Sequence, residues 1–169
     1  MEKININQFQ TKDLRINETY KDVLNYSIIE YGVREDHFIQ NTYVKNSPYH
    51  SKKQYHKSNY QLKSESDCFF NIPIGKLKKF DESGLLLEEI EWNKIEQRTF
   101  SIDELINKMN KEFNINLLNA ENKNISRSTS PFTYIITIGN PAISSKVRRI
   151  IVNGQDGSVI SDEEIIYTK

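Results

Sequence analysis

The sequence predicts an α+β protein: two amphipathic helices packed on a twisted antiparallel sheet of about five to seven strands. Three observations carry that expectation. Lys146–Ile160 reads as a β-hairpin, because Val147, Ile150 and Val152 are apolar strand formers, Asn153 to Gly157 is dense in turn residues, and Ser158-Val159-Ile160 resumes the strand. Ser101-Ile-Asp-Glu104 is a capping box opening a helix whose apolar face is Ile102, Leu105, Ile106, Met109 and Phe113. Tyr20, Val23, Leu24, Ile28 and Tyr31 recur at helical spacing, which predicts a further helix with Asn17 or Thr19 as N-cap and Gly32 as C-cap.

The remaining elements follow in chain order. Residues 1–16 alternate weakly through Ile4, Ile6, Leu14 and Ile16, the pattern of a short strand or extended lead-in. Behind the charged tetrad Arg34-Glu-Asp-His37, Phe38 and Ile39 begin either a strand or a short helix. Cys68 to Trp92 reads as three strands, with a tight reversal at Asp81-Glu-Ser-Gly84 that sets Leu77 against Leu85 or Leu87. Past the capped helix, a short strand is expected at 116–120, then strands at Phe132–Ile138 and Glu164–Tyr167. One domain over 1–169 is the default for this length, with 1–98 and 99–169 as alternative sub-units.

Bulk properties narrow the classes of function. Lys plus Arg and Asp plus Glu both number 23, so no global field draws the chain to nucleic acid or to an anionic membrane. Cys68 is the single cysteine and cannot form an internal disulfide, which fits a reducing compartment. No stretch reaches the roughly 18 apolar residues of a membrane span and no leader-like apolar run opens the chain, so a cytoplasmic location is expected.

Two stretches carry resemblances to known families. In 75–92, Gly75, Leu77, Phe80, Asp81, Gly84 and Leu86 follow the order Gly-x-Leu-x-x-Phe-Asp-x-x-Gly-x-Leu, and one such copy resembles the short repeats of MORN-type bacterial β-meander proteins. Over about 100–169, a capped helix, an Ile-rich aromatic strand and a closing turn resemble a PepSY-type domain. Asn153, Gly157 and Val159 stand at that family's Asp, Gly and Val positions, and Asp156 replaces its usual Thr. The resemblance implies a helix followed by a small antiparallel sheet, and a non-catalytic inhibitory or accessory role, mostly outside the cytoplasm. Immunity proteins that neutralise secreted bacterial toxins include small cytoplasmic chains with a similar ending, and a chain without a leader fits that setting better.

His50 and His56 have no third ligand nearby and no metal motif, so no metal and no cofactor is expected. Cys68 beside Phe69 and Phe70 reads as a small buried hydrophobe, with no base in sequence to activate it. The carboxylates Glu88, Glu89 and Glu91 would serve a small enzyme if they met in a cleft, and a solvated strand face if they did not. There is no phosphate loop and no nucleophile elbow, hence no catalytic residue is named.

The most unusual composition lies in 41–64, where no acidic residue occurs and Lys45, Lys52, Lys53, Lys57 and Lys63 interleave with Tyr43, Tyr49, Tyr55 and Tyr60. Tyr43, Tyr49 and Tyr55 recur every six residues and would project to one side of an extended segment. Such a stretch docks an acidic protein surface, forms a lysine-protected edge, or matches the acidic run 81–104 within the chain. The expected function is stoichiometric binding of a protein partner by an immunity-type protein, without catalysis. Its anchors would be Tyr49, Lys52, Lys53, Tyr55 and Tyr60, with Glu88, Glu89, Glu91 and Trp92 as a second, acidic patch.

Overall fold

A computed structural model describes residues 2–7, 14–140 and 144–167. It corrects the expected fold class: among the described residues the chain is mostly β, with two antiparallel sheets and short helices at Trp92–Ile95 and Ile102–Phe113 rather than two amphipathic helices on one sheet. It divides into two compact units, one of Met1–Lys45, Tyr49–Cys68 and Pro73–Trp92, the other of Asn46–Pro48, Phe69–Ile72 and Asn93–Lys169.

The first unit is a meander. Strands β1 (Thr19–Val23), β2 (Ser27–Val33), β3 (His37–Val44), β4 (Tyr49–His56), β5 (Leu62–Phe69), β6 (Ile72–Phe80) and β7 (Leu86–Glu91) lie side by side in sequence order. The helix expected over 18–32 is therefore the β1–β2 hairpin, with Tyr20 opposite Tyr31 and Asp22 opposite Ile29. Its content of Thr, Tyr, Val and paired Ile residues suits a pleated surface better than a helix, and Leu24 N–H closes the turn on the Ser27 carbonyl at 2.9 Å. Asn17 sits at φ 68° ahead of β1, and Gly32 is a strand residue beside Thr19, so neither is a helix cap. Within the lead-in, Lys3 makes a bridge to Gln61, while 8–13 lie outside the described residues.

The Asp81–Gly84 reversal is present as read. Asp81 Oδ1 accepts from the Ser83 and Leu85 backbone N–H groups at 2.8 and 2.9 Å, and Gly84 takes φ 82°. Register differs from the expectation: Leu77 pairs with Ile90, and Leu86 faces Phe80 across a bulge. One face of the meander carries a compact core of Ile4, Tyr31, Val33, Tyr55 and Leu62, against which Ile29, Phe38 and Phe80 pack.

The second unit holds all but the first residue of α1 (Trp92–Ile95), α2 (Ile102–Phe113) and the sheet β11 (Val159–Ile166), β10 (Lys146–Asn153), β9 (Phe132–Ile138), β8 (Lys123–Thr129) in that order. The capping box is formed, with Glu104 N–H bonded to Ser101 Oγ at 3.2 Å and Ser101 N–H to Glu104 Oε2 at 2.7 Å. Leu105 and Met109 of α2 are buried, as are Ile125, Tyr134, Ile136, Ile150 and Val152 of the sheet. The strand expected at 116–120 is a turn, and the polar run after it supplies β8. The expected 164–167 strand is the end of the longer β11.

The closing turn of the β10–β11 hairpin clasps the chain before α2. The Thr99 and Phe100 N–H groups donate to the Gly154 carbonyl at 3.3 and 3.0 Å, Gln155 Nε2 donates to the Gln97 carbonyl at 2.7 Å, and Tyr134 donates its hydroxyl to the Phe100 carbonyl at 2.5 Å. Gly157 takes φ 73° beneath the Phe100 ring, and Gly154 lies where a Cβ would collide with the Phe132 ring. These two glycines serve close packing as well as reversal.

Candidate interaction surface

In the meander, residues opposite one another in a ladder share a face, and neighbours along a strand alternate. Gln40 faces Lys53 and Phe38 faces Tyr55, which places Lys53 on the core-bearing side. Beyond the apolar core that side is charged. Lys78 Nζ lies 3.1 Å from Glu65 Oε1, Lys76 Nζ 2.6 Å from Glu89 Oε1, and Lys53 Nζ 2.6 Å from Glu2 Oε2. Ser51, Lys53, Glu65, Asp67, Lys76 and Lys78, with Lys52 and Ser66, line a depression of about 320 Å³.

The net charges alternate strand by strand. β4 brings Lys52 and Lys53, β5 Glu65 and Asp67 beyond Lys63 at its start, β6 Lys76, Lys78 and Lys79, and β7 Glu88, Glu89 and Glu91. Lys79 and Glu88 repeat the pairing on the opposite face at 2.7 Å. The acidic strand therefore divides its carboxylates: Glu88 and Glu89 point to opposite faces, each held by its own lysine, and they do not converge as a catalytic pair. Glu91 stands opposite Lys76 in the register, and Trp92 opens α1, half-buried.

The tyrosine–lysine stretch comprises β3, β4 and the start of β5, not a loop or an edge. Chain reversal between Tyr43 and Tyr49 breaks their even spacing. Tyr43 stacks on His50 at 4.6 Å on the opposite face, while Tyr49 and Tyr55 share the core-bearing parity. Tyr55 is withdrawn into the core, where its hydroxyl donates to Glu2 Oε1 at 2.8 Å. Burial and that hydrogen bond push its phenol well above the usual range. Burial also opposes ionisation of Glu2, but the hydrogen bonds from Lys53 and Tyr55 outweigh it and hold the Glu2 carboxyl below its ordinary value. Tyr60 takes φ 63° in the β4–β5 turn and lies 5.9 Å from the Phe38 ring; Tyr49 is exposed.

An internal match between basic and acidic stretches exists in part. Ser58 Oγ and Asn59 Nδ2 reach Glu82 at 2.9 and 2.6 Å, yet Lys53 and Lys63 pair with Glu2 and Asp36, and Glu88 and Glu89 pair with β6. Asp36 is held well below the carboxylate range by hydrogen bonds from Lys63 and His37. Cys68 is buried, as read from the sequence.

In the first unit, apolar side chains left exposed gather in two places that the sequence patterns do not mark; in the second, Val159, Ile160, Ile166 and Tyr167 stand exposed along β11 and its end. Val23, Leu24, Tyr26 and Val44 stand on the β1–β2 hairpin and the end of β3, with Tyr26 85% exposed. Leu85, Leu86 and Leu87 are 65%, 46% and 64% exposed at the start of β7. The run of three leucines was visible in the sequence, but only the position of β7 at the sheet's margin gives it meaning. In the second unit Glu96 is buried near Arg127 and Arg98, at 2.6 Å from Arg127 Nε and 3.7 Å from Arg98 Nη1. Burial pushes its carboxyl up despite both cations.

Among the described residues no group of three or more His, Cys, Asp or Glu could hold a metal ion, and no helix is long and apolar enough to cross a membrane. No protein-family model, curated protein or solved structure matches the chain. Fold and surface thus define it only as a two-unit antiparallel β-protein with an open, apolar-tipped sheet margin.

Proposed function

We infer that the protein is a non-catalytic binding protein of the immunity type, which neutralises a bacterial toxin in the cytoplasm by stoichiometric capture. The observation that carries this reading is the exposed apolar surface of the meander. In so polar a chain, leucines, valine and tyrosine kept at the hairpin end and at β7 are the kind of surface that interfaces bury. Lysines and carboxylates of the sheet hold one another, so they frame these patches and fix register more than they supply free charge. Of the anchors expected from sequence, Tyr49, Lys52, Glu88, Glu89 and Glu91 reach the surface in whole or in part; Tyr55 does not.

The test is co-expression with the product of the neighbouring open reading frame. Rescue of growth together with a one-to-one complex on size-exclusion chromatography with light scattering is the expected result. Absence of both rescue and complex refutes the reading. The second unit favours one other reading, a PepSY-like accessory module, because its capped helix precedes an antiparallel sheet closing on the 153–157 turn. That reading predicts a complex formed by the second unit's surface, with Tyr26→Asp and Leu87→Asp leaving it intact.

A further inference from the structure

We propose that the outer edge of β7 is a docking strand for an extended, lysine- or arginine-rich segment of the partner protein, taken up as an eighth strand beside the seven of the meander. The proposal rests on the binding reading above and names the chemistry that the partner must present. β7 ends the sheet, so no strand lies on its far side among the described residues, and an edge of this kind is a template for main-chain pairing.

The charge order selects the occupant. From β4 to β7 the strands run basic, acidic, basic, acidic, and each adjacent pair from β5 onward is joined by ion pairs across the ladder. The next strand in that series is basic. β6 shows the form it takes, since Lys76 and Lys78 meet the carboxylates of one face while Lys79 meets Glu88 on the other. An incoming strand with basic residues on both faces would flank Glu88, Glu89 and Glu91 from the far side, sharing Glu88 and Glu89 with Lys79 and Lys76. Leu85, Leu86 and Leu87 supply apolar grip at one end of the edge.

The same charges exclude a second copy. β7 paired with β7 sets glutamates against glutamates, which is destabilising directly across a ladder. β1, the other margin, carries one lysine and one aspartate, Lys21 and Asp22, and so no run of a single sign. β7 has no Pro to remove a ladder donor, and its edge is guarded by the negative charge of Glu88, Glu89 and Glu91, which a basic strand would neutralise rather than meet as repulsion.

The experiment uses the full chain and three labelled peptides of equal length: alternating Lys and Val, alternating Glu and Val, and alternating Lys and Pro. Fluorescence anisotropy at about 0.15 M salt reads affinity. The expected result is binding of the Lys/Val peptide at least about tenfold tighter than either control, because Lys/Pro keeps the charge and cannot pair as a strand. Replacing Leu85→Lys and Leu87→Lys together, in a chain whose circular dichroism is unchanged, is expected to weaken Lys/Val binding by about tenfold or more. Equal binding of Lys/Pro, full binding by the double variant, or no binding up to about 1 mM each overturns the proposal. Rescue of growth on co-expression with the neighbouring product, without peptide selectivity, sinks the docking strand and spares the binding reading; selectivity without rescue does the reverse.

Discussion

Replacing Arg127→Met tests the buried ionic cluster of the second unit. Glu96 has only 4% of its side chain exposed, Arg98 5% and Arg127 22%, and Arg127 Nε makes the short contact to Glu96 Oε1 at 2.6 Å. Arg127 Nη1 also donates to the Asn71 carbonyl at 3.3 Å. Methionine keeps much of the volume but leaves a sealed carboxylate facing only Arg98, at 3.7 Å. Breaking a fully buried pair costs about 3–5 kcal/mol; partial exposure of Arg127 lowers the expectation to about 2–3 kcal/mol at pH 7. With a urea slope near 2 kcal/mol/M, the midpoint falls by about 1–1.5 M, read by far-UV circular dichroism.

The pH dependence gives the cluster a signature that lost packing would not. Glu96 already has a folded-state value raised above 4.5, chiefly by burial. Between 4.5 and that raised value the folded state binds more protons than the unfolded one, so this group's contribution to stability declines as pH rises through the window. Removing Arg127 moves the upper limit higher, so the loss should shrink as pH is lowered from about 7 to 5. Glu96→Gln removes the titrating carboxylate, so its stability should lack this group's decline across the window. A midpoint change under about 0.3 M, or an identical loss at both pH values, refutes the reasoning.

Gly154→Ala should cost about 1–3 kcal/mol in thermal or urea unfolding, because its Cβ has no space beside the Phe132 ring and the backbone there is not in a left-handed conformation. Ser101→Ala removes one half of the capping box and should cost about 1 kcal/mol, checked by the same titration. Glu2 is held below its ordinary 4.5, so its contribution to the first unit is present above that value and is lost as pH falls through the lower folded-state one. Glu2→Gln should accordingly flatten the fall of the urea midpoint below pH 4.5.

The second unit was legible because its signals are local. Ser101 and Glu104 form a cap four residues long, α2 has one apolar stripe, and β9 and β10 are rich in Ile, Val and Tyr. The meander was much less so. β4, Tyr-His-Ser-Lys-Lys-Gln-Tyr-His, carries its period of two in polar side chains, with Tyr55 alone reaching the core and Lys53 beside it bonded to Glu2. A pattern of hydrophobicity cannot reveal a strand whose alternation is Ser, Lys and Tyr on one face and His, Lys and Gln on the other. The 18–32 hairpin misled for the converse reason: five apolar residues fall on a helical stripe by coincidence, while the β-branched content and the turn at Leu24–Tyr26 decide the outcome.

Much the same holds for the candidate surface. Glu88, Glu89 and Glu91 could be named from sequence, but their distribution over two faces and their lysine partners depend on β6 register, which a one-residue bulge at Lys79/Phe80 resets. The exposure of Leu85–Leu87 follows from β7 being last in the sheet, a property of topology that no local pattern carries.

The most direct test of partner capture at the sheet margin is amide hydrogen exchange on the protein alone and in complex with the product of the neighbouring reading frame. The account predicts strong new protection across Leu86–Glu91, with residues 18–26 changing less and β10 unchanged. A complex that leaves Leu86–Glu91 exchanging as in the free protein contradicts it.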